Sequence, residues 1–360
     1  MKDKVLYFAV IILSLFGLIM IYSSSYVWAE FKYGNSYKFL INQGVFLFLG
    51  IILMTIVSKI NIDIYKKYSN HFLLFTLVLL ILVLIPGIGT LRNGSRSWFG
   101  IGSFGFQPSE LCKLSLVIFV SKYLASNDRD KKVTKKFVFP ILGVILFMFG
   151  IIMLEPDFGT GMIIMCSLIV LIFISGANLS IFFKLGLLGV LGIILLILIA
   201  PYRMQRITSF INPWSDPLGS GFQIIQSLYA IGPGGLLGFG LFNSRQKHFY
   251  LPEPQTDFIF SIISEEFGFL GVLIVSSLFL LIFYKTIKIA LTREDLFEKY
   301  LVFGLSFMLI FQTLLNLAVV VGIVPVTGVT LPFLSYGGSS LLVSMTSIGI
   351  LLNISKYNNK

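Results

Sequence analysis

Pro201–Gly268 reads PYRMQRITSFINPWSDPLGSGFQIIQSLYAIGPGGLLGFGLFNSRQKHFYLPEPQTDFIFSIISEEFG. Long apolar runs flank it, yet it gathers Arg203, Arg206, Asp216, Gln223, Gln226, Lys247, Glu253, Asp257, Glu265 and Glu266. Polar groups at that density between greasy segments mark the place to look for a site. The rest of the chain explains why the contrast is so sharp. Of 360 residues, 56% are hydrophobic and 12% charged, and the mean hydropathy is +0.93. A soluble domain carries roughly 25% charged residues. The composition therefore specifies a multi-spanning membrane protein.

Working outward, apolar runs of about 17–22 residues, long enough to cross a hydrocarbon layer ~30 Å thick, begin near Val5, Leu40, His71, Gln107, Phe137, Phe158 and Ser180. Three more begin near Ile262, Tyr300 and Phe333, after the polar stretch. Backbone amides in lipid must be bonded internally, and runs this long suit helices rather than barrel strands. The expected fold is an all-α integral membrane protein of about ten transmembrane helices, one polytopic domain over residues 1–360. A large extracytoplasmic loop, 201–261, separates helices 7 and 8.

Charge placement sets the orientation. With Met1 inside, inner loops and termini hold eighteen Lys and Arg and outer loops hold eight. Both termini are thus expected on the cytoplasmic side of the membrane. The formal net charge of +11 is mostly topological, which leaves nucleic-acid binding without support. Cys112 and Cys166 fall inside apolar runs and read as packing residues. His71 and His248 lack ligand spacing.

Six of the eight outer cations, Arg92, Arg96, Arg203, Arg206, Arg245 and Lys247, sit in two loops beside polar helix starts. Charge placed against the topology rule fits an anionic lipid headgroup or diphosphate; solvated loop charge is the plainer reading. In Gln107-Pro108-Ser109-Glu110, Pro108 suits a first helical turn and Glu110 its positive end. Lys113, three residues on, projects from the same face, either lining a wet cavity or forming a packing pair with Glu110. Glu155-Pro156-Asp157 joins two spans, where Asp157 reads first as a helix cap. Ile224, Ile225, Leu228 and Ile231 have helical spacing; a short helix on the membrane surface and a Gly-rich re-entrant turn are expected there.

Asp257 sits where the loop meets a helix, as an N-cap shared with Thr256 or as a chemical group. A partly desolvated carboxylate at a cleft mouth holds its proton more readily and works as a general base near neutral pH. One base, several cations and no paired nucleophile suit glycosyl transfer from a lipid diphosphate. The base takes the hydroxyl proton, and the departing diphosphate needs positive charge rather than an acid. No cofactor is implied outright; a divalent cation, Mg2+ or Mn2+, is the other source of that charge.

At these residues the sequence resembles the SEDS family of bacterial membrane proteins (FtsW, RodA and SpoVE), nearest its FtsW/SpoVE branch. The resemblance rests on SRSW at Ser95–Trp98, QPSE with Lys113, EPDFGTG at Glu155–Gly161, nearly all of the opening stretch, and PVTGVTLPFLSYGGSS at Pro325–Ser340. It implies a ten-helix peptidoglycan glycosyltransferase that polymerises lipid II and releases undecaprenyl diphosphate. It also implies a class B penicillin-binding protein as partner, beside division or sporulation proteins. By the same resemblance Asp257 is catalytic, and Glu110 and Lys113 line the central cavity. Charge and placement add Arg96, Arg203, Arg206, Lys247, Gln226 and Glu253 as substrate-binding residues. A lipid II flippase and a non-catalytic scaffold of the division or sporulation machinery remain the alternatives.

Overall fold

The computed structural model describes residues 3–92, 95–101, 104–127, 135–199 and 202–357. Among the described residues ten helices of span length or near it carry the fold: α1 (Lys4–Tyr33), α2 (Lys38–Val57), α3 (Ile62–Leu84), α4 (Pro108–Asn127), α5 (Lys135–Leu154), α6 (Phe158–Ile174), α7 (Leu179–Ile199), α10 (Ile259–Leu291), α11 (Leu296–Val320) and α12 (Gly338–Ile354). Six of these are both long and apolar enough to cross a membrane, and α6, the Leu179–Gly192 part of α7, and α12 are apolar but shorter. The tenth, α4, has the length and carries Glu110 and Lys113 near its start. Two short helices, α8 (Tyr202–Ile211) and α9 (Phe222–Ile231), lie in the polar stretch.

Carboxylates begin several helices by accepting an otherwise orphaned amide. Asp3 takes Leu6 N–H at 3.0 Å and Asp295 takes Glu298 N–H at 2.9 Å. The centre of the bundle is α11, which touches α4, α6, α9, α10 and α12. Its apolar window is 67% buried, against 22% for α3 at the rim. A polar residue on α11 therefore faces protein, and must find partners there.

Three features depart from the sequence-based expectation. First, α1 runs on to Tyr33, well beyond its apolar run, and ends at Gly34 with φ 64°. Ser14, Ser24 and Ser25 satisfy themselves on the helix, Ser25 Oγ donating to Ile21 O at 2.6 Å, and its aromatic tail packs on α2, Trp28 and Tyr33 against Phe39. Second, the chain before α4 forms a three-stranded antiparallel sheet, β1 (Thr90–Arg92), β2 (Ser95–Ile101) and β3 (Phe104–Phe106). The fold is thus not wholly α.

Third, α9 does not lie free at a surface. Ile224, Ile225, Ser227 and Ala230 are buried against α10 and α11, and Ser227 Oγ donates to Val320 O at 2.7 Å. The Gly-rich turn that follows is wedged into a break in α10. Gly268 has φ 59° and ψ −155° inside that helix. Four amides bridge the gap: Phe239 to Glu265 O (3.0 Å), Gly240 to Glu266 O (2.9 Å), Phe269 to Gly235 O (2.9 Å) and Leu270 to Leu236 O (3.1 Å). Non-helical backbone inside a membrane helix survives only with such partners. The approach leaves no room for a side chain, since a Cβ on Gly268 would sit 2.4 Å from Gly238 N.

Candidate active site

The polar cluster grows from the start of α4. Lys113 is 2% exposed, and its Nζ lies 2.9 Å from each carboxylate oxygen of Glu110. It also donates to Gln312 Oε1 at 2.8 Å. Gln312 hands the network on: its Nε2 donates to Thr330 O at 3.0 Å and to Ser340 Oγ at 3.2 Å. One helical turn further along α11, Asn316 Nδ2 donates to Asp257 O at 2.7 Å and Val329 O at 2.8 Å. Gln312 and Asn316 share one face of α11. Gln312 holds the Lys113 pair and Asn316 the backbone of Asp257, and the two grip adjacent carbonyls, those of Thr330 and Val329.

Asp257 is half-buried and receives Thr256 Oγ1 at 2.9 Å. The N-cap of α10 is Phe258, with no side-chain cap bond. Asp257 immediately precedes that N-cap, at the junction of loop and helix. The turn before it is fixed from both sides. Glu253, half-buried with φ 42°, offers its carbonyl to Thr256 N at 3.0 Å; Tyr336 N donates to Gln255 O at 2.8 Å. Gln226 stands half-buried on α9.

A second corner lies at the α5–α6 turn. Asp157 caps α6 as expected, accepting Thr160 N at 3.2 Å. It does more, since its Oδ2 accepts Gln107 Nε2 and Ser109 Oγ, both at 2.8 Å, and so ties α6 to α4. Glu155 is fully buried and its carbonyl accepts hydroxyls from Ser95 and Ser97. Burial, and then the neighbouring charge of Asp157, push its carboxyl up to about 9.

The expected substrate cations fare differently. Lys247 is a correction: it is 1% exposed and pairs with Glu266 Oε1 at 2.9 Å, boxed in by the rings of Tyr26 and Phe242. Ser23 Oγ also donates to Glu266, at 2.7 Å. Glu265 accepts Ser244 Oγ at 2.5 Å and Arg245 N at 2.8 Å. The two acids before the break pin the 244–247 turn, and Lys247 is sealed into that pin rather than offered to a ligand. Arg96 is half-buried in β2, and Arg245 is exposed over Phe239. Arg203 and Arg206 lie on α8, and Arg92 ends β1, but their side chains lie outside the described residues.

Gln312, Asn316 and Glu155 did not figure among the sequence candidates. Polar residues one turn apart inside the most buried span were the available signal.

With this geometry in place, the chain can be set beside known proteins. The family model for FtsW, RodA and SpoVE, described as cell cycle protein, matches residues 4–360. The chain belongs to that family. Among its FtsW/RodA/SpoVE relatives, Stage V sporulation protein E of Bacillus subtilis is 48% identical over 356 residues, spanning 99% of this chain and 97% of the relative. A protein named probable peptidoglycan glycosyltransferase FtsW, from a Geobacter species, is 39% identical over 98% of this chain and 96% of its own length. Solved structures agree with the fold. A chain from a peptidoglycan synthase complex aligns with TM-score 0.78 at 30% identity, covering 99% of both chains. Thermus thermophilus rod shape determining protein RodA aligns with TM-score 0.72 at 27% identity, covering 99% of this chain and 98% of its own.

Proposed function

We propose that this protein is a peptidoglycan glycosyltransferase that polymerises lipid II into β-1,4-linked glycan strands and releases undecaprenyl diphosphate. The observation that carries the reading is Asp257: a half-buried carboxylate at the start of α10, its backbone held by Asn316 one turn along α11 from the Gln312 that binds a buried cation. The names of the FtsW relatives point the same way.

In the reaction, Asp257 accepts the proton of the acceptor sugar hydroxyl as its oxygen attacks the anomeric carbon of the donor. The C–O bond to the diphosphate breaks on the opposite face, so an α-linked donor gives a β-linked product, and both electrons leave with the diphosphate. Positive charge in the cavity stabilises that leaving group. Lys113 is the described cation within this network. Asn316 acts through the backbone of Asp257 and is a positioning residue. Gln226 and Glu253 are the proposed contacts for the sugars, and Arg96, Arg203 and Arg206, as outer cations in the sequence, those for the diphosphate.

The protein resides in the bacterial plasma membrane with both termini cytoplasmic and 201–261 outside, where a class B penicillin-binding protein crosslinks the strands. Division, cell shape or spore cortex synthesis is the setting, alongside division or sporulation proteins. Purified protein given lipid II, with and without that partner, is expected to yield glycan strands on a denaturing gel. Lipid II translocation across vesicles without strands would support the flippase reading, and neither activity the scaffold. Labelling of single cysteines in 201–261 from outside intact cells tests the orientation.

A further inference from the structure

Four glutamates are buried among the described residues, and three are provided for. Glu110 has Lys113, Glu266 has Lys247, and Glu265 has the hydroxyl and amides of the 244–246 turn. Glu155 has nothing: it is 0% exposed and neither carboxylate oxygen has a hydrogen-bond partner. Its carbonyl is already taken by the β2 hydroxyls that roof it. Burying a carboxylate without a partner is costly, and Asp157, whose charge bears on it, makes ionisation harder still. A proton or a cation resolves the conflict.

The enclosure decides what kind of ligand fits. A sugar or a phosphate cannot reach a fully buried carboxylate, whereas a single ion can. Asp157 is suited to share it. A carboxylate offers about four lone-pair sites, and the three donors on Asp157, two on Oδ2 and one on Oδ1, leave one on Oδ1. Two carboxylates ask for two positive charges. No group of three or more His, Cys, Asp or Glu is gathered among the described residues, which argues against a closed zinc-type box. Mg2+ needs none: it is held by one or two carboxylates and keeps several of its waters.

The geometry points to a divalent-cation site at the α5–α6 turn, formed by Glu155 and Asp157 under the β2 roof and suited to Mg2+ or Mn2+. The site adjoins the polar network around Asp257. A Cβ on Gly159, two residues past Asp157, would lie 2.4 Å from Val329, whose carbonyl shares Asn316 with that of Asp257. A cation there would supply charge to the departing diphosphate; that role rests on the polymerase reading, but the binding does not.

The test is therefore binding. Electron paramagnetic resonance of Mn2+ with the purified full-length protein is expected to show one tight ion per chain, displaced by Mg2+. Glu155→Gln should weaken it at least tenfold while unfolding no lower than wild type in chelator, and Asp257→Asn should leave it intact. As a check on the native chain, Fe2+ with ascorbate and peroxide should cut the backbone near residues 155–157. No tight Mn2+ in wild type, wild-type affinity in Glu155→Gln, loss in Asp257→Asn, or cleavage centred elsewhere would each overturn the site. Strand synthesis is not read, so failure here leaves the polymerase reading standing.

Discussion

Among the described residues two lysines are buried beside glutamates, and they do different things. Lys113 and Glu110 are three residues apart on one helix, and their partner Gln312 leads onward to Ser340 and Thr330, next to the Val329 carbonyl that Asn316 shares with the Asp257 backbone. Lys247 and Glu266 join a turn to the broken helix α10, and beyond them are Ser23 and two aromatic rings. One pair is the end of a polar path; the other is a rivet. Burial and pairing alone do not mark a functional cation; what lies on the far side of the pair does.

The contrast can be broken most forcefully by removing one partner of the rivet. Lys247→Met leaves Glu266 buried and uncompensated, and is expected to cost about 3–5 kcal/mol, read as a lower unfolding temperature in detergent. Replacing both partners sharpens the contrast. Lys247→Met with Glu266→Gln should recover most of that stability and retain polymerisation. Glu110→Gln with Lys113→Met should fold comparably and polymerise at least tenfold more slowly. Equal activity in the two double variants would erase the distinction. A smaller effect is expected at the wedge that the rivet holds: Gly268→Ala must place a side chain at φ 59° against Gly238, costing about 1–3 kcal/mol. Wild-type stability there would show that the 234–240 turn does not fill the break.

Much of this was legible in the chain. The ten long helices follow from hydropathy, because lipid leaves the backbone little choice, and Asp257, Glu110 and Lys113 stand out as charges where charge is costly. Asp157 was readable as a cap because capping is local. What the sequence hid is long-range. The bond from Lys113 to Gln312 spans 199 positions and that from Ser23 to Glu266 spans 243, and no local pattern tells which distant partner closes over a lysine. Lys247 therefore looks like any loop cation until α10 and α1 are folded around it. The sheet before α4 escaped for a related reason: strands of three residues are too short for alternation to declare itself.

The central claim is that Asp257 takes the acceptor proton. Its most direct test is the initial rate of strand formation from lipid II by purified Asp257→Asn, matched to wild type in unfolding temperature and lipid II binding. The side chain keeps its size and loses its basicity, so a fall of about 10²–10⁴-fold is expected. A rate near wild type, with binding unchanged, would contradict the account.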